Sequence, residues 1–149
     1  MIDITVETQI ARPVHEVFAY ATDPERLSSW QTNTVSATRE DDGPYGVGSR
    51  LREVHRAPGG KELESVVEVV EYAPGRVFAL EVREGTPIHA HITFDPAEGG
   101  TRMRLRAHGG LSGPARIMEP LFARVLRKQF ARNVATLKQV LEDAAVAAR

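Results

Sequence analysis

The chain has 149 residues, 42% hydrophobic and 26% charged, the size and balance of a single domain with one sizeable core. A formal net charge of −1 argues against a nucleic-acid or anionic-membrane partner, since both draw basic surfaces. The lack of cysteine removes disulfides, thiolate catalysis and cysteine-ligated metals, and no apolar run approaches the roughly 18 residues of a membrane span.

The sequence opens straight into a strand pattern, without the apolar stretch of a signal peptide, so a cytoplasmic protein is expected. Ile2, Ile4, Val6, Thr8 and Ile10 alternate with Asp3, Thr5, Glu7 and Gln9, the period-2 mark of a half-buried strand, and Arg12-Pro13 stops it. Val14, Val17, Phe18 and Ala21 then fall at helical spacing. Asp23-Pro24 ends that helix, and a short second one runs through Leu27 to Trp30. Six strand patterns follow: Val35 to Arg39, Ser49 to Arg56, Lys61 to Tyr72, Val77 to Arg83, Ile88 to Phe94 and Thr101 to His108. Their breakers are Asp42-Gly43-Pro44, Pro58-Gly59-Gly60, Pro74-Gly75, Gly85-Thr86-Pro87 and Asp95-Pro96 with Gly99-Gly100. Connections this short join neighbouring strands antiparallel.

Ser112 to Ala147 reads as one long amphipathic helix in which Pro120 either introduces a kink or restarts the helix one turn later. Phe122, Val125, Leu126, Phe130, Val134, Leu137 and Leu141 share a face, opposite Arg124, Arg127, Lys128, Lys138 and Glu142. At about 1.5 Å per residue such a helix is on the order of 40 Å long, and only a sheet is broad enough to cover its apolar face. The predicted order is β-α-α-β-β-β-β-β-β-α, a single α+β domain over residues 1–149 with a seven-stranded antiparallel sheet curled around the C-terminal helix.

Alternation gives the sheet an apolar face of Leu63, Val67 and Val69, of Phe78, Leu80 and Val82, and of Met103, Leu105 and Ala107. The neighbours of these residues are charged and of both signs. A twisted sheet meets a straight helix well along only part of its length, so the remainder predicts a cavity. The expected lining is Trp30, Leu51, Val67, Phe78, Leu80, Phe94, Leu105, Phe130 and Asn133, with glycine-rich Gly43 to Gly48 and the Ala57 to Gly60 turn as a mobile rim.

Polar residues that interrupt the apolar faces are where chemistry would sit. Asn133 falls in the middle of the helical stripe, with Gln129 at its edge; it either bonds to backbone or water, or orients a ligand. On the third strand Glu53 and His55 share the inner side with Leu51 while Arg50, Arg52 and Arg56 lie outside. That register makes Glu53 and His55 a candidate general acid/base pair, with Ser65 as neighbour; a one-residue slip would turn all of them to solvent. His89 and His91 form a His-x-His pair, but Ile88, Ala90, Ile92 and Phe94 claim the inner side and no third ligand is spaced for them, so no metal and no cofactor are expected. His15 and His108 read as surface residues, and Trp30 as a core plug or pocket wall.

The run Ile10-Ala11-Arg12-Pro13-Val14-His15-Glu16-Val17-Phe18, followed by Asp23-Pro24, Trp30, Gly46-Val47-Gly48-Ser49, Val69-Val70-Glu71-Tyr72-Ala73-Pro74-Gly75-Arg76, Gly100-Thr101-Arg102 and Leu137-Lys138, resembles the START-related superfamily. More narrowly, it resembles the bacterial polyketide cyclase/dehydrase-like proteins. The resemblance spans essentially the whole chain and implies the helix-grip fold, with a cavity for an apolar ligand. Its motifs are fold determinants, and members range from ligand carriers to aromatases and cyclases to co-chaperone-like proteins, so the family leaves the chemistry open.

The favoured reading is a binder or carrier of a hydrophobic small molecule such as a lipid, quinone or polyketide-like ring system. Its partner would be that ligand alone, without stable membrane insertion, and the chain would be a monomer or homodimer. The alternative is an aromatase, cyclase or dehydratase using Glu53 and His55. A protein-interaction module is the third class; the near-neutral charge counts against the ribosome as its partner.

Overall fold

A computed structural model describes residues 1–147. Strand β1 (Ile2–Ile10) leads into helix α1 (Val14–Thr22), a 3-10 turn (Pro24–Arg26) and the four-residue helix α2 (Leu27–Trp30). Six strands follow: β2 (Thr34–Arg39), β3 (Arg50–Arg56), β4 (Glu62–Ala73), β5 (Val77–Glu84), β6 (Ile88–Ala97) and β7 (Gly100–Gly109). A second 3-10 segment (Gly113–Met118) precedes helix α3 (Glu119–Ala147). The strands form one seven-stranded sheet in the order β1-β7-β6-β5-β4-β3-β2. All six pairings are antiparallel, so the chain meanders and then closes with β1 beside β7. The predicted element order, the curled sheet and the long C-terminal helix are those of the helix-grip fold. No described helix is long and apolar enough to cross a membrane.

Local chemistry explains where elements begin and end. Asp23 caps the 3-10 turn, its carboxylate accepting from the Glu25 amide at 3.0 Å, and Pro24 occupies the first helical position, where its missing N–H costs nothing. Pro120 likewise lies in the first turn of α3, so it restarts the helix instead of kinking it. Of the stretch from Ser112 to Met118, expected to be helical throughout, Ser112 is extended and Gly113–Met118 is a 3-10 segment lying before that restart. The Asp95-Pro96 dipeptide, expected to end its strand, lies inside β6. The ladder to β5 ends at Thr93, the Phe94 amide donates to the Arg76 carbonyl at 2.8 Å, and the proline nitrogen, pointing the same way, has no partner strand to serve.

β4 carries a bulge that its alternation hides. Val69 faces Leu80 and Glu71 faces Ala79, leaving Val70 as the extra residue, so Val69 and Tyr72 both reach the inner face.

The interior has two packed regions. Under α1, the Phe18 ring stands edge-on to Phe94 at 5.1 Å, Tyr72 at 5.5 Å and Phe78 at 6.5 Å. Under the second half of α3, Val134, Leu137 and Leu141 are buried in the same cluster. Polar clamps hold that half to the end of β1: Lys138 Nζ donates to the Gln9 carbonyl at 2.6 Å, the Ala11 amide to Glu142 Oε2 at 2.9 Å, and Arg12 Nη1 to the Leu141 carbonyl at 2.9 Å. The first half of α3 buries no residue before Asn133. It bridges space.

Candidate ligand cavity

That space is an open-mouthed cavity of about 1040 Å³ between the first half of α3 and the concave face of the sheet. Phe122, Leu126 and Phe130 form its helical wall; Val67, Leu80, Val82, Ala90, Ile92 and Leu105 form its floor. These strand residues are the inward partners in the ladders, as in Val67 opposite Val82, Leu80 opposite Ala90 and Ile92 opposite Leu105. The volume is at the upper end of the range for sites that take drug-sized molecules, and its wall is mostly apolar.

One end is polar. Glu53 and His55 lie on β3 opposite Ser65 and Leu63 of β4, all directed to the cavity, whereas Arg50 and Arg52 are exposed on the other face. Glu53 Oε1 lies 3.1 Å from His55 Nε2. The other ring nitrogen, Nδ1, is 3.2 Å from Thr34 Oγ1, whose hydroxyl donates to Gln31 Oε1 at 2.9 Å. With the hydroxyl hydrogen directed to Gln31, the Thr34 oxygen is placed to accept from Nδ1–H, and the Nε2 side of the ring faces the Glu53 carboxyl.

Asn133 closes the same end from α3. Its Oδ1 accepts from the Thr32 amide at 3.0 Å and from Gln129 Nε2 at 2.8 Å, and Gln129 Nε2 also reaches Thr32 Oγ1 at 2.8 Å. Asn133 therefore straps the loop after α2 to α3 while lining the cavity. The side chain of Trp30 is fully buried against it, and the indole nitrogen has no partner among the described residues.

Of the residues expected to line a pocket, Leu51, Phe78 and Phe94 do not. All three point inward, but Phe78 and Phe94 pack on Phe18, and Leu51 lies one ladder step from Glu53 toward the loop of Tyr45. Alternation fixes which face a side chain takes, not its distance along the helix, and α1 fills that end of the sheet. The glycine-rich segment 43–48 is no rim either. Tyr45 packs on Tyr72 at 5.7 Å with the Arg39 guanidinium 5.3 Å above its ring, and the segment lies away from the cavity. Burial pushes the Tyr45 hydroxyl well above its ordinary value, with Tyr72 and Glu53 adding to the effect, so it stays a neutral phenol. Ala57 and Pro58 do stand at the mouth.

Thr34, Gln31 and Thr32 escaped the sequence reading. The available signal was cross-strand: Thr34 sits directly opposite His55 in the β2–β3 ladder. His89 and His91 lie on the outer face. The His89 ring stacks on His108 at 4.9 Å, His91 Nε2 lies 3.4 Å from Glu71 Oε1, and no group of three metal-ligating side chains gathers among the described residues.

Residues 1–142 match the family described as polyketide cyclase / dehydrase and lipid transport. Among curated sequences no relative matches. Among solved structures, the di-domain ARO/CYC StfQ from the steffimycin biosynthetic pathway superposes with a TM-score of 0.82 at 16% identity, covering 97% of this chain and 51% of StfQ. TTHA0849 from Thermus thermophilus gives 0.74 at 26% identity over 98% of both chains, and NE0264 from Nitrosomonas europaea gives 0.74 at 18% over 97% of both.

Proposed function

Because the chain belongs to the polyketide cyclase/dehydrase and lipid transport family, we propose that it binds and carries a hydrophobic small molecule with a polar group at one end. The observation that supports this most is the cavity of about 1040 Å³, apolar along its floor and helical wall, with Glu53, His55 and Asn133 grouped at one end. The apolar body of such a ligand replaces water against Leu80, Ile92, Leu105 and Phe130, at about 25 cal/mol per Å² of surface removed from water. Its polar group hydrogen-bonds to Glu53, His55 or Asn133 at the polar end. A lipid, a quinone or a polyketide-like ring system meets that description.

Trp30 is the chain's one tryptophan and lies in the cavity wall, so its fluorescence reports occupancy without a label. Titration with fatty acids, naphthoquinones and tricyclic phenols should give a saturable change for one of these classes. A Trp30 signal indifferent to every class defeats the carrier reading.

A second reading draws on the 3.1 Å contact between Glu53 and His55. In a dehydration, the carboxylate would take the proton from the carbon next to a carbonyl, while the imidazolium gives its Nε2 proton to the departing hydroxyl, which leaves as water. The pair would hold the same number of protons after the step as before it. StfQ, named for aromatase/cyclase work, shares the fold at 16% identity, which makes the reaction class reasonable to test here without assigning it.

A further inference from the structure

The mouth of the cavity is bordered by a surface that nothing in the fold covers. Ile117 is 83% exposed, Leu121 is 55% exposed, and Met118 and Val125 are also exposed. Leu121 and Val125 are four apart on α3, with Ile117 and Met118 one turn before them, so the four form one apolar patch. Val125 also lines the cavity, which makes the patch continuous with the entrance. The same segment is basic. Between Ser112 and Arg132 the chain places five bases, Arg116, Arg124, Arg127, Lys128 and Arg132, against one acid, Glu119. All five bases are exposed, and none forms an ion pair among the described residues. Glu119 is turned inward, accepting from the Leu111 amide at 2.7 Å and pairing with the N-terminal amine. The net charge of −1, which alone argues against an anionic membrane, is an average that hides this segment.

Large exposed apolar side chains beside unpaired arginines and a lysine are what an anionic bilayer surface selects. The apolar groups enter the headgroup boundary and the bases meet lipid phosphates and carboxylates. A second copy of this chain fits poorly, because a two-fold contact would set the same five bases against themselves. We propose that the 3-10 segment Gly113–Met118 and the first half of α3 dock reversibly on anionic phospholipid surfaces, setting the cavity mouth at the bilayer. Docking needs no occupant in the cavity, so it stands or falls apart from the carrier reading.

The test is co-sedimentation of the whole chain with phosphatidylcholine vesicles, with and without phosphatidylserine. Wild type should bind the phosphatidylserine vesicles at low salt and release at high salt. Each base removed should weaken binding by about fivefold, so Arg124→Glu with Lys128→Glu should abolish it. Ile117→Asp with Leu121→Asp should do the same, while leaving the circular dichroism spectrum and Trp30 titrations unchanged, since neither residue lines the cavity. Wild type remaining in the supernatant, or both double variants sedimenting as wild type does, overturns the proposal. A dimer in solution that Ile117→Asp with Leu121→Asp dissolves, without any vesicle binding, assigns the patch to a second copy and overturns it too.

Discussion

Glu53 is 5% exposed, and the one partner of its carboxylate among the described residues is the His55 ring. Glu53→Gln keeps the shape and removes the proton acceptor, so a catalyst would lose turnover by roughly 10²- to 10⁴-fold with affinity nearly intact. A carrier has no turnover to lose and would show only an affinity change from altered hydrogen bonding, about 0.5–1.5 kcal/mol for a typical bond and up to about 3 kcal/mol for one to a charged carboxylate. Measuring both quantities on one variant separates the two readings. Conversion by the wild type of a bound ligand, with Glu53→Gln converting it as fast, would remove Glu53 from any mechanism. On the outer face, desolvation first and the neighbouring His108 second hold the His89 pKa below its ordinary value of 6.5, with His91 adding to this and Glu81 and Glu71 opposing it. A histidine whose folded pKa is depressed leaves stability whole above 6.5 and subtracts from it as pH falls through that value, because the unfolded chain takes the proton first. His89→Asn should flatten the decline of unfolding free energy just below pH 6.5, measured by urea denaturation across pH. Superimposable profiles would show that the His89–His108 stack carries no such linkage.

Helix α3 has two halves with different duties. Leu137 is fully buried and sits where Lys138 and Glu142 clamp the helix to β1, so Leu137→Ala should cost about 2–5 kcal/mol by leaving a cavity in packed surroundings. Phe130 is only half-buried and already borders empty space, so Phe130→Ala enlarges a void instead of opening one. It should fall below the roughly 3–5 kcal/mol usual for an aromatic truncation while lowering ligand affinity, with chemical denaturation and Trp30 titration as the paired measurements. Equal destabilisation by the two variants would mean that the first half of α3 is held by packing. The strands, their antiparallel order and the amphipathic stripe of α3 were legible in the sequence because hydrophobic period and breaker residues act locally. So was the register of Glu53 and His55, since Arg50, Arg52 and Arg56 leave β3 only one way to face. The Val70 bulge was not, because a β-branched residue fits either pleat and the extra residue is defined only by its partner strand. Nor was the division of inward residues between cavity and packed core: Phe78 and Leu80 read alike, and it is Phe18 from a distant helix that claims the first and leaves the second.

At the scale of the whole molecule, the sheet is long enough to serve two purposes at once. Its α1 end is packed with aromatic rings and its β1 edge is clamped to the second half of α3, which leaves the first half of that helix standing over the cavity. A ligand filling the cavity adds contacts that only the folded state can make, so it stabilises by mass action, about 2.7 kcal/mol at a hundredfold excess over its dissociation constant. For a domain of this length that corresponds to a rise in melting temperature of about 5–10 °C. Such a rise alone does not locate the ligand, whereas hydrogen exchange does. Amides of α3 from Phe122 to Phe130 rest on few buried side chains and should exchange well before those around Leu137 in the empty protein, then slow on binding; those around Leu137 should hardly change. A ligand that raises the melting temperature but leaves exchange from Phe122 to Phe130 unaltered would be bound elsewhere, and the hollow under α3 would then be a feature of the fold with no part in carrying it.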